Sequence, residues 1–353
     1  MDYAQLDIRL DQNMVKLVAE IDEFKGRWEA LKTLAPERLN KLRKVATIES
    51  IGSSTRIEGA KLTDAQVETL LSGLKTKSFQ SRDEQEVAGY AEAMDLVFQA
   101  WEDMSISENH IRQLHQTILR HSTKDERHRG DYKALDNHVV AIGPDGEERG
   151  VVFATTSPFD TPREMEALVG WVQKAIREEA FHPLLIIAIF TVKFLAIHPF
   201  QDGNGRLSRV LTTLMLLRAG YAYVPYASLE SVVEENKAQY YNALRRTQKS
   251  LDDTPDWEPW VGFFLRALKK QKTILEERVE DEKEAQITTE ELHPLSEEIL
   301  SSFEDTKRLT VSEIVELTKA NRNTIKVRLR ELVSSGRLEL TGKGRGAFYR
   351  LMK

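Results

Sequence analysis

Apolar residues recur at spacings of three and four through most of the chain, as in "LVAEIDEFKGRWEALKTL", "AGYAEAMDLVFQAW", "IRQLHQTILRH", "MEALVGWVQKAI" and "VLTTLMLLRAG". That period predicts helices. Two places predict extended chain. In "NHVVAIGPDGEERGVVFATT", β-branched runs flank Gly-Pro-Asp-Gly, a hairpin signal. Near the end, "RLEL" and "AFYRL" surround the glycine-rich "TGKGRG". Between them "FFLRALKKQKTILEERVEDEKEAQ" reads as a highly charged helical connector, and "TTEELHPLSEE" contains the expected domain boundary. The expected fold class is mainly α, with one β-hairpin and a small C-terminal domain.

At 353 residues the chain is long enough for two or three domains with a full-sized core. It has no cysteine, hence no disulfides or thiolate metal sites, which fits a reducing compartment. The first residues, "MDYAQLDIRLDQN", carry acids where a secretory signal needs a basic start and an apolar run. The longest apolar stretch, "LLIIAIFTVKFLAI", is broken by Lys193 and is too short to span a bilayer. A cytoplasmic protein without membrane contact is expected. The net charge of -6 hides an asymmetry, because residues 306–353 hold 12 Lys+Arg against 4 Asp+Glu, leaving 38 against 52 elsewhere. A basic tail on an acidic body invites a nucleic-acid reading of the tail alone.

The chemistry concentrates in "IHPFQDGNGRLSR", residues 197–209. An Asp-Gly-Asn-Gly turn that opens a helix presents free backbone N–H groups, a ready anion site. Gly203 and Gly205 let a phosphate approach the backbone, with the space beside Gly205 expected to be empty. Arg206 and Arg209, three apart, project from one helix face toward a polyphosphate. Asp202 supplies the hard oxygen that Mg2+ prefers, and His198 is a base suited to taking a hydroxyl proton. Base, metal ligand, cradle and two arginines together describe phosphoryl or nucleotidyl transfer.

This segment resembles the HPFxDGNGRxxR signature of the Fic family at every specified position, and the likeness extends more weakly over residues 40 to 270. The resemblance implies a helical bundle with a β-hairpin flap that uses ATP and Mg2+ to move AMP onto a Ser, Thr or Tyr hydroxyl of a target protein, itself included. It implies His198 as the base, and Asp202 as the Mg2+ ligand. Gly203, Asn204 and Gly205 would cradle the α- and β-phosphates, with Arg206 on the β-phosphate and Arg209 on the γ-phosphate. Gly205 stands where a kinase-like branch carries lysine, which favours AMP transfer. Upstream, "SSTRIEGAKLT" places Ser54 and Glu58 four apart on a helix that Gly59 helps to end. It resembles the family's N-terminal inhibitory motif, which implies that Glu58 pairs with Arg209 and blocks productive ATP.

In the flap, His138, Val139, Val140, Ala141 and Ile142 would pair with an extended target by strand addition. Tyr240, Tyr241, Leu244 and Gln248 share a helix and either flank adenine or belong to the core. The histidines at 110, 115, 182 and 293 read as structural.

The C-terminal "RLTVSEIVELTKANRNTIKVRLRELVSSGRLELTGKGRGAFYRLMK" reads as helix, turn, helix and two strands. Thr310 with Glu313 makes a capping box, Asn321 or Asn323 caps the second helix, and Gly336 follows it. Ile325, Leu329, Leu332 and Val333 form the expected buried stripe. The pattern resembles a winged helix-turn-helix, in which Arg322, Lys326, Arg330, Lys343 and Arg345 would meet DNA, the alternative being protein docking. The expected divisions are an N-terminal helical region at 1–105, a Fic core at 106–270, a connector at 271–292 and a winged helix at 293–353. The N-terminal helices offer a homodimer surface. Two alternatives stand beside the adenylyltransferase reading: a DNA-binding regulator with a nucleotide-sensing core, and a transferase using another donor.

Overall fold

The computed structural model describes residues 8–31, 35–73, 79, 81–142, 148–251, 254–290, 294–303, 308–334, 337–342 and 347–352. The protein is mainly α, and the chain divides into two compact units, Met1–Val279 and Glu280–Lys353. In the first, α1 (Gln12–Leu31), α2 (Pro36–Ile57), α3 (Asp64–Ser72), α4 (Arg82–Ala100) and α5 (Glu108–Ile118) lead to a hairpin of β1 (Val139–Ile142) and β2 (Glu148–Phe153). Then follow α6 (Thr161–Arg177), α7 (Pro183–Ile197), α8 (Asn204–Arg218), a 3-10 turn at Val224–Tyr226, α9 (Leu229–Glu235) and α10 (Lys237–Ser250). The long α11 (Glu258–Glu290) contributes residues to both units.

The all-apolar α7 explains the architecture. Every residue from Leu184 to Ile197 is buried, Lys193 included, so this helix needs neighbours on all sides, and α6, α8 and α10 supply them. Helix α8 is buried from Arg206 to Leu217 and packs against α4, α5 and α7. Starts are set locally: Thr63 with Gln66 and Ser81 with Glu84 form capping boxes on α3 and α4. Strands β1 and β2 pair antiparallel, with Val139 opposite Phe153 and Val140 opposite Val151. The Gly-Pro-Asp-Gly turn lies outside the described residues, as do the side chains of Val139, Val140, Ala141 and Ile142.

The second unit holds α12 (Pro294–Ser301), α13 (Val311–Thr318), α14 (Arg322–Ser334), β3 (Leu338–Thr341) and β4 (Phe348–Leu351). Strands β3 and β4 pair antiparallel, and Leu309 bridges to Tyr349. Its own core gathers Ile299, Phe303, Ile314, Ile325, Leu329 and Leu332, with Val333 packed at the edge. Thr310 and Glu313 form the capping box, and the Asn321 side chain accepts the Asn323 N–H at 2.8 Å, which settles the cap on Asn321. Gly336, Lys343, Arg345 and His293 lie outside the described residues. Helix α12 was not expected from its sequence, whose Pro294 opens a helix rather than marking a break. Among the described residues no helix is long and apolar enough to cross a membrane.

Candidate active site

The site is built on the turn that joins α7 to α8. At the end of α7, His198 takes the left-handed conformation at φ 53° and ψ 58°, its N–H still bonded to Phe194 O at 2.9 Å. Gly203 is left-handed at φ 79° and starts α8. Asn204 locks the loop between them, with Oδ1 accepting the Phe200 N–H at 2.9 Å and Nδ2 donating to Phe200 O at 2.6 Å. Its side chain is thus occupied inside the turn, and what it can offer an anion is its main-chain N–H.

His115, read from sequence only as structural, fixes the other side of the turn. Its Nδ1 accepts the Gly130 N–H at 2.9 Å, so Nε2 carries the proton and donates to Asp202 O at 3.0 Å. The ring also stacks on Phe200 with centroids 3.8 Å apart. Burial pushes its pKa down to about 4, against the pull of the Asp202 carbonyl, so the imidazole is neutral at pH 7.

His198 is half-buried, with Nδ1 3.3 Å from Leu195 O. A proton on Nδ1 directed at that carbonyl leaves the Nε2 lone pair available as a base. Burial lowers its pKa to about 4, opposed by the Leu195 carbonyl, Glu58 and Asp202 and reinforced by Lys133. A neutral imidazole is the form that can accept a proton.

Arg206 and Arg209 are both buried, with side chains 3% and 8% exposed. Arg206 Nη1 lies 3.4 Å from Glu86 Oε2 and Nη2 3.4 Å from Asp202 Oδ1, while its buried Nε makes no hydrogen bond among the described residues. Arg209 is held from the other direction. Its Nε donates to Ser54 Oγ at 2.8 Å, and its Nη2 donates to Ser54 O at 2.9 Å and to Glu58 Oε1 at 2.7 Å. Burial, the largest single influence, would lower the Arg209 pKa; the Glu58 carboxylate together with Tyr240 and Tyr90 outweighs it and holds the pKa above its ordinary value.

Glu58 reaches this position because α2 ends on a Schellman motif. The Ala60 N–H bonds Thr55 O, the Gly59 N–H bonds Arg56 O, and Gly59 takes φ 107°. Arg56 pins the same end, gripping both oxygens of Glu234 at 2.7 and 2.9 Å and Asp64 at 2.8 Å. A Cβ built on Gly205 would collide with the Glu58 carboxylate. The space beside Gly205, expected to be empty, is therefore filled by Glu58, which stands at the N-terminus of α8 where the helix favours an anion.

Asp202 accepts the Gly203 N–H on Oδ1 and lies 3.5 Å from an Arg82 nitrogen through Oδ2, with its side chain 32% exposed. Among the described residues there is no group of three or more His, Cys, Asp or Glu placed to hold a metal ion. A single accessible carboxylate fits Mg2+, which takes most of its ligands from phosphate and water.

Of the residues expected around adenine, Tyr240, Leu244 and Gln248 are buried and Tyr241 is half-buried. The Tyr240 ring packs edge-on against Trp260 and Phe263, at 5.7 and 5.8 Å. The cavity that Tyr240 shares with Arg209, Glu230 and Trp260 measures about 30 Å³, water-sized rather than base-sized. At the base of the flap, His138 Nδ1 accepts the Thr155 N–H at 3.2 Å.

The turn, the helices around it and the hairpin are matched by one family description. Residues 105–216 match the Fic/DOC family. The matched stretch contains His198 and both arginines, whereas Ser54, Glu58, Gly59, α10 and the second unit lie outside it. The chain is similar to a Fic family protein from Desulfovibrio desulfuricans G20, at 26% sequence identity and TM-score 0.69, over 99% of this chain and 98% of that one. A Fic domain containing signaling protein from Bacteroides thetaiotaomicron VPI-5482 is similar at 26% identity and TM-score 0.60, over 74% of this chain and 97% of that one. Protein adenylyltransferase Fic of Drosophila grimshawi is 28% identical over 255 residues, 72% of this chain and 47% of the relative. The chain spans about half the length of the curated relatives it matches.

Proposed function

We propose that this Fic domain transfers AMP from ATP to a Ser, Thr or Tyr hydroxyl of a protein, its own chain included, and that Glu58 restrains the reaction. One observation carries the reading. The Glu58 carboxylate sits between Arg209 and the N-terminus of α8, so the protein fills its own anion site with an anion. The similarity to adenylyltransferases named Fic supports the donor.

In this reading His198 Nε2 takes the proton of the acceptor hydroxyl as its oxygen attacks the α-phosphorus. The bond from that phosphorus to the bridging oxygen breaks, and pyrophosphate leaves. The main-chain N–H groups at Gly203, Asn204 and Gly205 cradle the α- and β-phosphates. Arg206, with Nε still free to donate, holds the β-phosphate, and Arg209 takes the γ-phosphate once Glu58 releases it. Mg2+ at Asp202 supplies charge neutralisation when bound. Preformed donors around a developing charge give the rate, because they need no reorganisation as the reaction proceeds. Glu58 and a γ-phosphate are like charges competing for one guanidinium, so ATP binds unproductively while Glu58 stays. An extended target segment adds to the β1–β2 hairpin. Incubation with ATP labelled at the α- or the γ-phosphate tests the donor group: label retained from α alone supports AMP transfer, and label retained from γ points to a phosphate.

A separate observation favours a role for the second unit. Arg322, Lys326 and Arg330 are exposed on α14, on another face from its buried stripe of Ile325, Leu329 and Leu332. With the β3–β4 hairpin, this supports a winged helix that contacts DNA phosphates. Retention on duplex DNA at low salt that disappears in Lys326→Ala/Arg330→Ala supports it; no retention of the parent rejects it in favour of protein docking.

A further inference from the structure

Two residues in the segment between α5 and β1 take no part in the chemistry above, yet between them they bind every main-chain carbonyl from Ile197 to Phe200. Lys133 Nζ donates to Ile197 O at 3.0 Å, and the Lys133 main-chain N–H donates to Pro199 O at 2.8 Å. Asn137 Nδ2 donates to His198 O at 3.1 Å and to Phe200 O at 2.6 Å. Lys133 Nζ also donates to Asn137 Oδ1 at 2.8 Å and Thr155 Oγ1 at 2.9 Å, so three acceptors meet its three protons. Thr155 Oγ1 donates in turn to Asn137 Oδ1 at 2.9 Å, which fixes the amide with its nitrogen toward the turn. Lys133 is 3% exposed, so these contacts are made away from solvent.

The turn has a reason to need them. His198 is not glycine, and a left-handed conformation is strained for such a residue, so it persists where surroundings over-determine it. The same two residues reach the hairpin, because Thr155 follows β2 and its N–H binds His138, which precedes β1.

We propose that Lys133 and Asn137 are positioning residues for the base: they hold His198 in its left-handed conformation and tie its orientation to the foot of the hairpin. The proposal rests on the transferase reading for what His198 does, and on geometry for how it is held. Charge gives the arrangement a signature. Burial is the largest influence that lowers the His198 pKa; the Lys133 ammonium lowers it further, while the Leu195 carbonyl, Glu58 and Asp202 oppose. Lys133 is itself brought down to about 8 by burial, against Asp136, and so stays largely charged at pH 7. Removing a cation favours the imidazolium, so His198 must titrate higher without it.

The test is an NMR pH titration of the His198 imidazole in the nucleotide-free full chain, for the parent, Lys133→Met and Lys133→Arg. It is read beside kcat and KM for ATP in a Glu58→Gly background. Lys133→Met is expected to raise the titration midpoint by roughly one pH unit. It should lower kcat about 10- to 100-fold with KM for ATP little changed, as misplacement of a reacting group does. Lys133→Arg keeps the charge and is expected to titrate near the parent. If Lys133→Met does not fold, Asn137→Asp replaces the two carbonyl bonds with a carboxylate of the same shape and should also raise the midpoint. A His198 titration unchanged in the folded variant overturns the proposal. A shifted titration in a protein that transfers nothing supports the positioning role while removing the transferase reading.

Discussion

Two basic helices of this protein use their charges in opposite ways. On α8, Arg206 and Arg209 are buried, with Glu86, Asp202, Ser54 and Glu58 as ion-pair or hydrogen-bond partners at 2.7–3.4 Å. On α14, Arg322, Lys326 and Arg330 are exposed. Buried guanidinium groups cannot be left alone in a low-dielectric interior, so they recognise one anion in one pose, and a single internal carboxylate suffices to block them. Exposed cations act by number and are screened by salt. The comparison predicts a site on α8 that is controlled by a switch, and a surface on α14 that is controlled by ionic strength.

The largest effect is expected from removing the switch. Glu58→Gly should raise AMP transfer roughly 10- to 100-fold, the range for losing a charge-assisted bond that competes with substrate. The same variant should lose about 1–2 kcal/mol in denaturant unfolding, because Arg209 is left with less compensation, the loss being moderated by the 32% exposure of Glu58.

The pH profile sharpens the contrast next. His198 has its pKa lowered from 6.5 to about 4, so the unfolded chain binds its proton first as pH falls. Stability from this group is therefore complete above about 6.5 and is lost as pH falls through about 4. The transfer rate of Glu58→Gly should be level on its acid side down to about pH 5 and fall only at or below about 4, because losing Glu58 removes one of the influences that raise the His198 pKa. Half the rate lost already near 6.5 would mean an ordinary, solvated histidine.

Ser54→Ala is expected to act in the same direction as Glu58→Gly but only a few-fold, since Arg209 Nε loses one hydrogen bond of about 1 kcal/mol. The smallest effect on transfer belongs to α14. Lys326→Ala/Arg330→Ala should leave AMP transfer unchanged while reducing the slope of log affinity for DNA against log salt by about 2. A change in transfer with that pair would break the separation between the two helices.

How far these features could be read beforehand depended on how far apart in sequence their partners lie. The turn at residues 197–209 was legible because His198, Asp202, the two glycines and both arginines that build it are close in sequence, and the capping boxes of the helices were legible for the same reason. Glu58 meeting Arg209 across 151 residues followed only from the resemblance. His115 supports Asp202 across 87 residues, and Lys133 supports Ile197 across 64, and no spacing in the sequence marks either. Helical period placed Tyr240, Leu244 and Gln248 on one side of α10 but could not tell a core face from a pocket face; they are buried. The space beside Gly205 was read correctly as a place without a side chain of its own, and incorrectly as empty, because its occupant comes from α2.

In the proposed function α8 carries a transferase site that Glu58 occupies. It is tested most directly by intact-mass measurement of the parent, Glu58→Gly and Glu58→Gly/His198→Ala proteins after incubation with Mg2+ and ATP. The expected result is a gain of AMP on Glu58→Gly, little on the parent and none without His198. Equal gain on the parent and Glu58→Gly, or a gain that survives loss of His198, would contradict it.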